Sequence, residues 1–249
     1  MLTQDELKKY AFVRRIKLID HVWKDYMQDL VLYLLYKKMP KLVFNGGTLI
    51  WKTMKGDRFS EDIDACNASI PFDIDEYLAK ELRFFGIDCK IEKIKKTENM
   101  LFLKLLLSHP SHSRNIIISV EILVGRPEET MTETIFSPYP DIPPVEIIAV
   151  SPRELMANKI SAIYRRNKAR DVHDIYFLLK SGIKIDMDLI KKKAPTFSIK
   201  TFESKMLEKQ TEWKSLMPLI ITKLPSLKEE IGYILSCFAR YGIETNDKE

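Results

Sequence analysis

The chain has 249 residues, of which 45% are hydrophobic and 30% charged, with a formal net charge of +5. This composition is typical of a globular protein with one large or two small domains, and it excludes disordered and fibrous classes. The longest apolar runs are too short for a transmembrane helix, which needs about 20 residues. The N-terminus contains acids and lacks the apolar core of a secretory signal, and the three cysteines follow neither a disulfide nor a zinc pattern. We therefore expect a cytoplasmic protein without a membrane segment.

Charge is distributed unevenly along the sequence. Residues 180–228 contain eleven lysines and five acids, whereas residues 60–79 contain six acids and neither lysine nor arginine. A basic segment suits a polyanionic partner, and an acidic one suits a metal site. A solvated helix surface would explain the basic segment equally well.

Hydrophobic periodicity predicts alternating helices and strands in the first half of the chain. Two leading helices come first, and a short apolar strand then ends at a glycine pair. The predicted helices are residues 3–15, 19–38, 48–55 and 75–85, and the predicted strands are residues 41–44, 60–66, 88–94, 101–107 and 115–124.

The second half of the chain is predicted to be helical from Ser151 onward. The proline-rich segment 136–144 is predicted to be the linker between the two parts. We therefore predict an α+β fold in two domains. Residues 1–145 form a mixed sheet with flanking helices, and residues 146–249 form a helical domain with a basic face.

Two carboxylates, Asp62 and Asp64, flank Ile63 in the predicted strand 60–66. Residues two apart on a strand point to the same side, so both carboxylates project together while Ile63 faces the core. Paired carboxylates suit a hard divalent cation such as Mg²⁺. Acidic pairs also occur by chance on protein surfaces, so the pair alone is a weak signal.

The glycine pair Gly46 and Gly47 precedes Thr48 where a strand passes into a helix. Glycine lets backbone amides approach a phosphate closely, and the first turn of a helix offers free N–H groups to an anion. This pattern predicts a phosphate-binding turn, although it is not a Walker motif. The alternative is a tight turn in which Thr48 caps the helix.

Glu121 lies in the middle of the predicted strand 115–124, between Val120 and Ile122. A lone charge there is costly unless it is paired or binds a metal ion, so Glu121 is the candidate third carboxylate. Alternatively, Glu121 lies on a hydrated face of the sheet beside Ser119.

Two charged residues are predicted to face inward on consecutive helices of the second half. Lys159 falls within the apolar arc of the helix that begins after Ser151, and Asp171 falls within the arc of the next helix, with Asp174 at its border. The alternatives are that Lys159 extends to solvent and that Asp171 caps its helix.

Together these motifs resemble the AbiEii-type nucleotidyltransferases, which are toxin components of type IV toxin–antitoxin systems and a branch of the DNA polymerase β-like superfamily. The resemblance covers about residues 40–182 and combines five pieces. They are GGT at 46–48, RFSEDID at 58–64, the strand carboxylate Glu121, PRELMANK at 152–159 and RDVHDIYFLL at 170–179. The resemblance implies a polymerase-β-like nucleotidyltransferase core followed by the helical domain.

The resemblance also assigns roles to individual residues. Gly46, Gly47 and Thr48 would hold the triphosphate of an NTP. Asp62, Asp64 and Glu121 would hold Mg²⁺, although a third Asp is commoner in the superfamily. Lys159 would contact the phosphates, and Asp171 would be a later acidic residue of the active site.

The implied reaction is transfer of a nucleotide from an NTP to an acceptor hydroxyl, for several relatives the 3′ end of a tRNA. A cognate antitoxin is the implied protein partner. Two other functions stay open at this point, a metal-dependent nuclease and a catalytically inactive module that binds RNA or an antitoxin. The nuclease would use the same carboxylates without needing Gly46, Gly47 or Lys159.

Overall fold

The computed structural model describes residues 2–242 and divides the chain into two compact units between Val150 and Ser151. The first unit contains a seven-stranded mixed sheet with flanking helices, and the second is helical. The predicted α+β fold class is therefore confirmed. Within residues 2–242, no helix combines the length and the apolar character needed to cross a bilayer.

The first unit begins with two helices, and helices then alternate with strands. A capping box between Thr3 and Glu6 fixes the start of the first helix. The elements are α1 (Gln4–Ala11), a 3₁₀ turn (Phe12–Arg14), α2 (Ile19–Lys38), β1 (Val43–Asn45), α3 (Gly46–Thr53), β2 (Ile63–Asn67), α4 (Ile74–Phe84), β3 (Asp88–Lys96), β4 (Met100–His109), β5 (His112–Val124), β6 (Thr130–Ile135) and β7 (Val145–Val150).

The strand order in the sheet is β3-β4-β5-β2-β1-β7-β6. Strand β2 runs parallel to β5, and β1 runs parallel to β7, whereas the remaining neighbours are antiparallel. This order brings the short strands β1 and β2 to the centre of the sheet. The glycine pair and the acidic pair, which lie on these two strands or beside them, are therefore brought together.

The two faces of the sheet differ in burial along β4 and β5. Leu101, Leu103, Leu105 and Leu107 of β4 are fully buried, and the residues between them are half-buried. Strand β5 alternates in the same way between residues 116 and 122. Because side chains alternate along a strand, one face belongs to the core and the other is open to solvent.

The proline-rich segment 136–144 connects β6 to β7 within the first unit, so the prediction that it links two domains is wrong. Its Tyr139 is fully buried, and the Tyr139 hydroxyl donates a hydrogen bond to Asp25 at 2.9 Å. The segment is thus anchored against α2. Strands β6 and β7 were not predicted, and β7 carries the first unit to Val150.

A cluster of buried charges joins α2 to α3 and to the N-terminal 3₁₀ turn. Asp25 and Asp29 of α2 each contact the Arg14 guanidinium, at 2.7 and 2.9 Å. They also contact the Lys52 ammonium of α3, at 2.5 and 2.7 Å. Asp25 further accepts a hydrogen bond at 2.8 Å from the indole N–H of Trp51. Two carboxylates and two cations therefore offset one another in the core.

The charge cluster determines the protonation of Asp25. Burial raises the pKa of this carboxyl, but the Lys52 ammonium and the Arg14 guanidinium lower it by more, so the pKa lies below its ordinary value of 3.8. Asp25 is thus ionised at neutral pH. Since Lys52 lies in α3, the cluster holds the helix that begins at Gly46 in a fixed position on α2.

The second unit consists of helices connected by short segments. Ser151 caps its first helix by accepting a hydrogen bond from the backbone N–H of Glu154, and Pro152 occupies the first turn. The elements are α5 (Pro152–Arg165), α6 (Ala169–Lys180), α7 (Met187–Lys193), α8 (Ile199–Leu207), a long 3₁₀ segment (Glu208–Leu219) and α9 (Leu227–Arg240).

The basic segment 180–228 covers α7, α8 and the 3₁₀ segment. Lys191 and Lys192 of this segment are exposed, and the basic face stays a prediction. Lys209, in contrast, is only 2% exposed and donates a hydrogen bond to the backbone carbonyl of Arg166 at 2.9 Å. It therefore anchors the connection between α5 and α6.

Replacing Lys52 with methionine should destabilise the protein by about 3–5 kcal/mol, because two buried carboxylates would keep only one of their two cations. The matched control is Lys24→Met, which removes the partly exposed Lys24–Glu61 pair. We expect that control to cost less than about 1 kcal/mol. Urea unfolding at pH 7 measures both values.

The pH dependence provides a second measurement on the same variants. Because the folded pKa of Asp25 lies below its unfolded value, the cluster contributes stability that is lost as the pH falls below 3.8. The difference in the free energy of unfolding between wild type and Lys52→Met should therefore become smaller as the pH falls below 3.8. Equal losses for the Lys52 and Lys24 variants at pH 7 would contradict the stabilising role of the cluster.

Candidate active site

The glycine pair lies where β1 passes into α3, and both glycines are in close contact with other side chains. Gly46 has a φ of +80°, and a Cβ added there would overlap the carboxylate of Asp64. A Cβ at Gly47 would lie 2.8 Å from the hydroxyl of Ser60 and would overlap the Arg58 guanidinium. Only glycine therefore lets the start of α3 lie directly against the acidic strand β2.

Thr48 lies inside α3, which begins at Gly46 with Asn45 as its N-cap residue. The alternative that Thr48 caps this helix is therefore wrong. Thr48 is fully buried, and its hydroxyl donates a hydrogen bond to the backbone carbonyl of Asp62. This bond fixes the start of β2 to the first turn of α3, so only the backbone N–H of Thr48 is left to serve an anion.

Asp64 and Glu121 are directly opposite each other on the parallel strands β2 and β5. Both are half-buried, as is Asp62, whereas Ile63 is fully buried as predicted. Asp62 immediately precedes the first residue of β2. The structure thus brings Asp64, Glu121 and the glycine turn together, with Asp62 two residues away on the same chain segment.

The pairing continues across five strands as a single row, which we call the cross-sheet row. It consists of Asn45, Asp64, Glu121, Phe102 and Lys95, on β1, β2, β5, β4 and β3 respectively. Residues paired in this way lie on the same face of a sheet. Since Glu121 and Phe102 are half-buried, this is the open face, and the alternative that placed Glu121 beside Ser119 on a hydrated face describes the geometry correctly.

Asn45 and Arg58 belong to the site but were not predicted. The side-chain oxygen of Asn45 is buried, and among residues 2–242 it has no hydrogen-bond partner. A buried, unpaired oxygen next to a glycine turn suits a ligand atom or a water molecule. Arg58, 5% exposed, lies against Gly47. In the sequence, Asn45 comes one residue before the glycine pair and Arg58 comes four residues before Asp62. Their closeness to these two motifs could have indicated that they lie near the site.

The side chains of Asn45, Asp64 and Glu121 in the cross-sheet row offer oxygen atoms, which are the ligands that Mg²⁺ prefers. Among the described residues, no three His, Cys, Asp or Glu side chains are grouped so that they could hold a metal ion. The carboxylates therefore do not form a closed protein cage. Magnesium, however, usually takes one or two carboxylates and completes its shell with water and substrate phosphates. The oxygen donors Asp64 and Glu121 fit that kind of open site.

Lys159 and Asp171 contact each other within the second unit. The Lys159 ammonium lies 3.4 Å from Asp171 and 2.7 Å from Asp174, and all three residues are buried. The Arg166 guanidinium binds both oxygens of Asp171 at 2.8 Å. The alternatives that Lys159 extends to solvent and that Asp171 caps α6 are therefore wrong, since the N-cap residue is Lys168.

This network keeps Asp171 ionised in the interior. Burial raises the pKa of Asp171, but the Lys159 ammonium and the hydrogen bonds from Arg166 lower it below the ordinary value of 3.8. The role of Lys159 as a phosphate contact and that of Asp171 in the active site stay predictions.

Comparison with known proteins agrees with this geometry. A family model described as "Nucleotidyl transferase AbiEii toxin, Type IV TA system" matches residues 31–232. No curated protein sequence matches the chain.

Two crystal structures of H. pylori proteins share the fold. One, described as a presumed nucleotidyltransferase, has a TM-score of 0.63 at 17% identity over 90% of this chain and 96% of its own. The other, JHP933, has a TM-score of 0.56 at 17% identity over 86% of this chain and 88% of its own. At this identity the likeness concerns the fold alone.

Replacing Gly46 with alanine should destabilise the protein, because the change adds both backbone strain and an overlap with Asp64. The control is Gly182→Ala, since Gly182 has a φ of +82° but a Cβ there would meet no atom within 4 Å. Gly182→Ala should lower the free energy of unfolding by about 1–2 kcal/mol, because alanine is strained in the left-handed backbone conformation. Gly46→Ala should lose clearly more in denaturant unfolding, and equal losses would show that the contact with Asp64 is unimportant.

Proposed function

Because the chain belongs to the AbiEii nucleotidyl transferase toxin family of type IV toxin–antitoxin systems, we propose that it transfers a nucleotide from an NTP to the 3′ end of a tRNA in a Mg²⁺-dependent reaction. Family membership itself implies nucleotidyltransferase activity, a nucleotide substrate and an antitoxin partner. The acceptor and the identity of the metal belong to the proposal. A tRNA acceptor would place the reaction in the cytoplasm.

The observation that carries the proposal is the contact of Asp64 with Gly46 at the start of α3, with Glu121 opposite Asp64 on the next strand. A helix N-terminus attracts anions, and the neighbouring carboxylates attract a cation. A triphosphate with a bound divalent cation satisfies both requirements at once. The positive end of α3 and the acidic row therefore fit two parts of the same substrate.

The glycine turn and the acidic residues have separate roles in this proposal. The backbone N–H groups of the turn at Gly46, Gly47 and Thr48 bind the triphosphate. Asp64 and Glu121 would bind Mg²⁺ directly, with Asp62 two residues before Asp64 on the chain, and the bound ion would acidify the attacking hydroxyl and offset the charge of the leaving pyrophosphate. AbiEii-type nucleotidyltransferases in general use a divalent metal.

The reaction is an in-line displacement at the α-phosphorus of the NTP. The acceptor hydroxyl oxygen forms a bond to phosphorus, the bond to the β-phosphate oxygen breaks, and pyrophosphate leaves. We assign acceptance of the hydroxyl proton to Glu121, because it is half-exposed beside Asp64 on the open face of the sheet. The other residues of the site orient the acceptor hydroxyl and the NTP so that attack and pyrophosphate departure occur in line.

Substituting Asp64 with asparagine should reduce nucleotidyl transfer at least about 100-fold, because the charge that binds the metal and orients the substrate is lost. The measurement incubates each labelled NTP with Mg²⁺ and total RNA. Asp88→Asn is the control, since Asp88 is an exposed carboxylate at the edge of the same sheet. Equal labelling by wild type and Asp64→Asn would remove Asp64 from the mechanism.

Chelation of divalent metal should abolish transfer, and Mg²⁺ should restore it. The test adds EDTA to the wild-type labelling reaction and then titrates Mg²⁺, with Ca²⁺ in a parallel series. Loss of labelling with full recovery at excess Mg²⁺ is the expected result. Transfer that continues at full rate in EDTA would contradict the proposed role of the carboxylates, and RNA cleavage without labelling would identify a nuclease instead.

A further inference from the structure

We propose that the open face of strands β3, β4 and β5 binds the single-stranded 3′ end of the RNA acceptor and leads it to the carboxylates. This acceptor face comprises Lys93, Lys95, Phe102, Lys104, Ile117 and Leu123. The inference rests on the proposed function, because it locates the acceptor of that reaction.

The acceptor face is continuous with the active-site carboxylates. In the cross-sheet row, Glu121 pairs with Phe102, and Phe102 pairs with Lys95 on the edge strand. Neighbouring strands lie about 4.8 Å apart, so the row runs about 14 Å from Asp64 to Lys95. A chain lying along it would have one end at Glu121 and would leave the sheet over β3.

The acceptor face exposes apolar side chains that a core face would bury. Ile117 is 37% exposed and Leu123 48% exposed, whereas Leu103 on the opposite face is fully buried. The ring of Phe102 is half-buried, and the Lys93 ammonium lies 5.9 Å from its centre. An accessible aromatic ring beside lysines is the combination that binds single-stranded nucleic acid, with bases on the ring and phosphates on the cations.

A β-bulge in the edge strand sets which residues reach this face. The pairing of β3 with β4 shifts by one residue between Ile91 and Lys93, where Glu92 is inserted. Beyond the shift, Lys93 pairs with Lys104 and Lys95 pairs with Phe102. If β3 paired with β4 without this register shift, Glu92 would pair with Lys104 and Ile94 with Phe102, because a shift of one residue exchanges the faces of a strand.

The bulge therefore exchanges an acid and an isoleucine for two lysines on the side that carries the carboxylates. The Glu92 carboxylate still binds the Lys104 ammonium at 2.6 Å, which offsets both charges. Lys93 and Lys95 are therefore the cations that the bulge adds to the acceptor face. Lys93 and Lys95 are both exposed at the sheet edge. This arrangement complements a polyanion more closely than a neutral protein surface, and the aromatic and apolar residues favour the bases of RNA over an acidic peptide.

The test compares Lys95→Glu with Lys96→Glu. The two lysines are adjacent and exposed, but Lys95 pairs with Phe102 on the acceptor face, whereas Lys96 pairs with the buried Leu101 on the other face. The probe is a 5′-fluorescein single-stranded RNA of twelve nucleotides ending in CCA, and its binding is followed by fluorescence anisotropy without NTP. Circular dichroism verifies that both variants fold.

We expect Lys95→Glu to weaken probe binding at least about fivefold more than Lys96→Glu. The plot of the logarithm of the binding constant against the logarithm of the salt concentration should also become less steep for Lys95→Glu, by about 0.7 or more in slope. Phe102→Leu should weaken binding about fivefold or more through lost stacking. Equal effects of the two lysine variants, or no binding by wild type, would overturn the proposal. Polyglutamate that binds as tightly as RNA would overturn the assignment to RNA.

The two proposals fail in different ways. Wild type that binds the probe through Lys95 but transfers no nucleotide would contradict the proposed function and leave the acceptor face standing. Wild type that labels RNA, with the same KM for RNA in Lys95→Glu and Lys96→Glu, would overturn the acceptor face alone. The KM for NTP should be unchanged in both variants, since neither lysine lies at the glycine turn.

Discussion

The close approach of Asp64 to the backbone at Gly46 is the constraint on which the site depends. It brings a carboxylate against the N-terminal end of a helix, where a side chain at residue 46 would prevent the contact. The helix end and the Asp64 carboxylate attract each other, and each can also bind the opposite charge of a ligand, an anion at the helix end and a cation at the carboxylate. A metal-bound triphosphate has this pair of charges, and the fold is that of the nucleotidyltransferases.

The contact between Asp64 and Gly46 depends on the position of α3, and a buried charge cluster holds this helix. The cluster consists of Asp25, Asp29, Arg14 and Lys52. It ties α3 to α2 and, through the hydrogen bond from Tyr139, to the segment between β6 and β7. Buried ion pairs add little net stability, but they allow few alternative arrangements because every displaced charge stays uncompensated. The cluster thus limits movement of the helix whose first turn forms the proposed phosphate site.

Sheet register then extends the site outward. The same pairing that aligns Asp64 with Glu121 aligns Phe102 and Lys95 with them, and a single inserted residue in β3 sets the lysines on this side. The proposed metal-binding carboxylates, the aromatic ring of Phe102 and the Lys95 ammonium therefore follow one another along one row across the sheet. In the second unit, Lys159 and Asp171 are held by their own buried network, which the inward-facing charges of α5 and α6 had indicated.

The sequence by itself determined the glycine turn, the strand that carries Asp64, the inward charges of α5 and α6 and the nucleotidyltransferase family, because each depends on local periodicity or on a contiguous motif. It did not reveal β6 and β7, the anchoring of the proline-rich segment, the burial of the Asn45 side-chain oxygen or the cross-sheet row. Only the tertiary structure decided these features. Strand pairing joins residues far apart in sequence, and one bulge can exchange the faces of a strand without changing its local pattern.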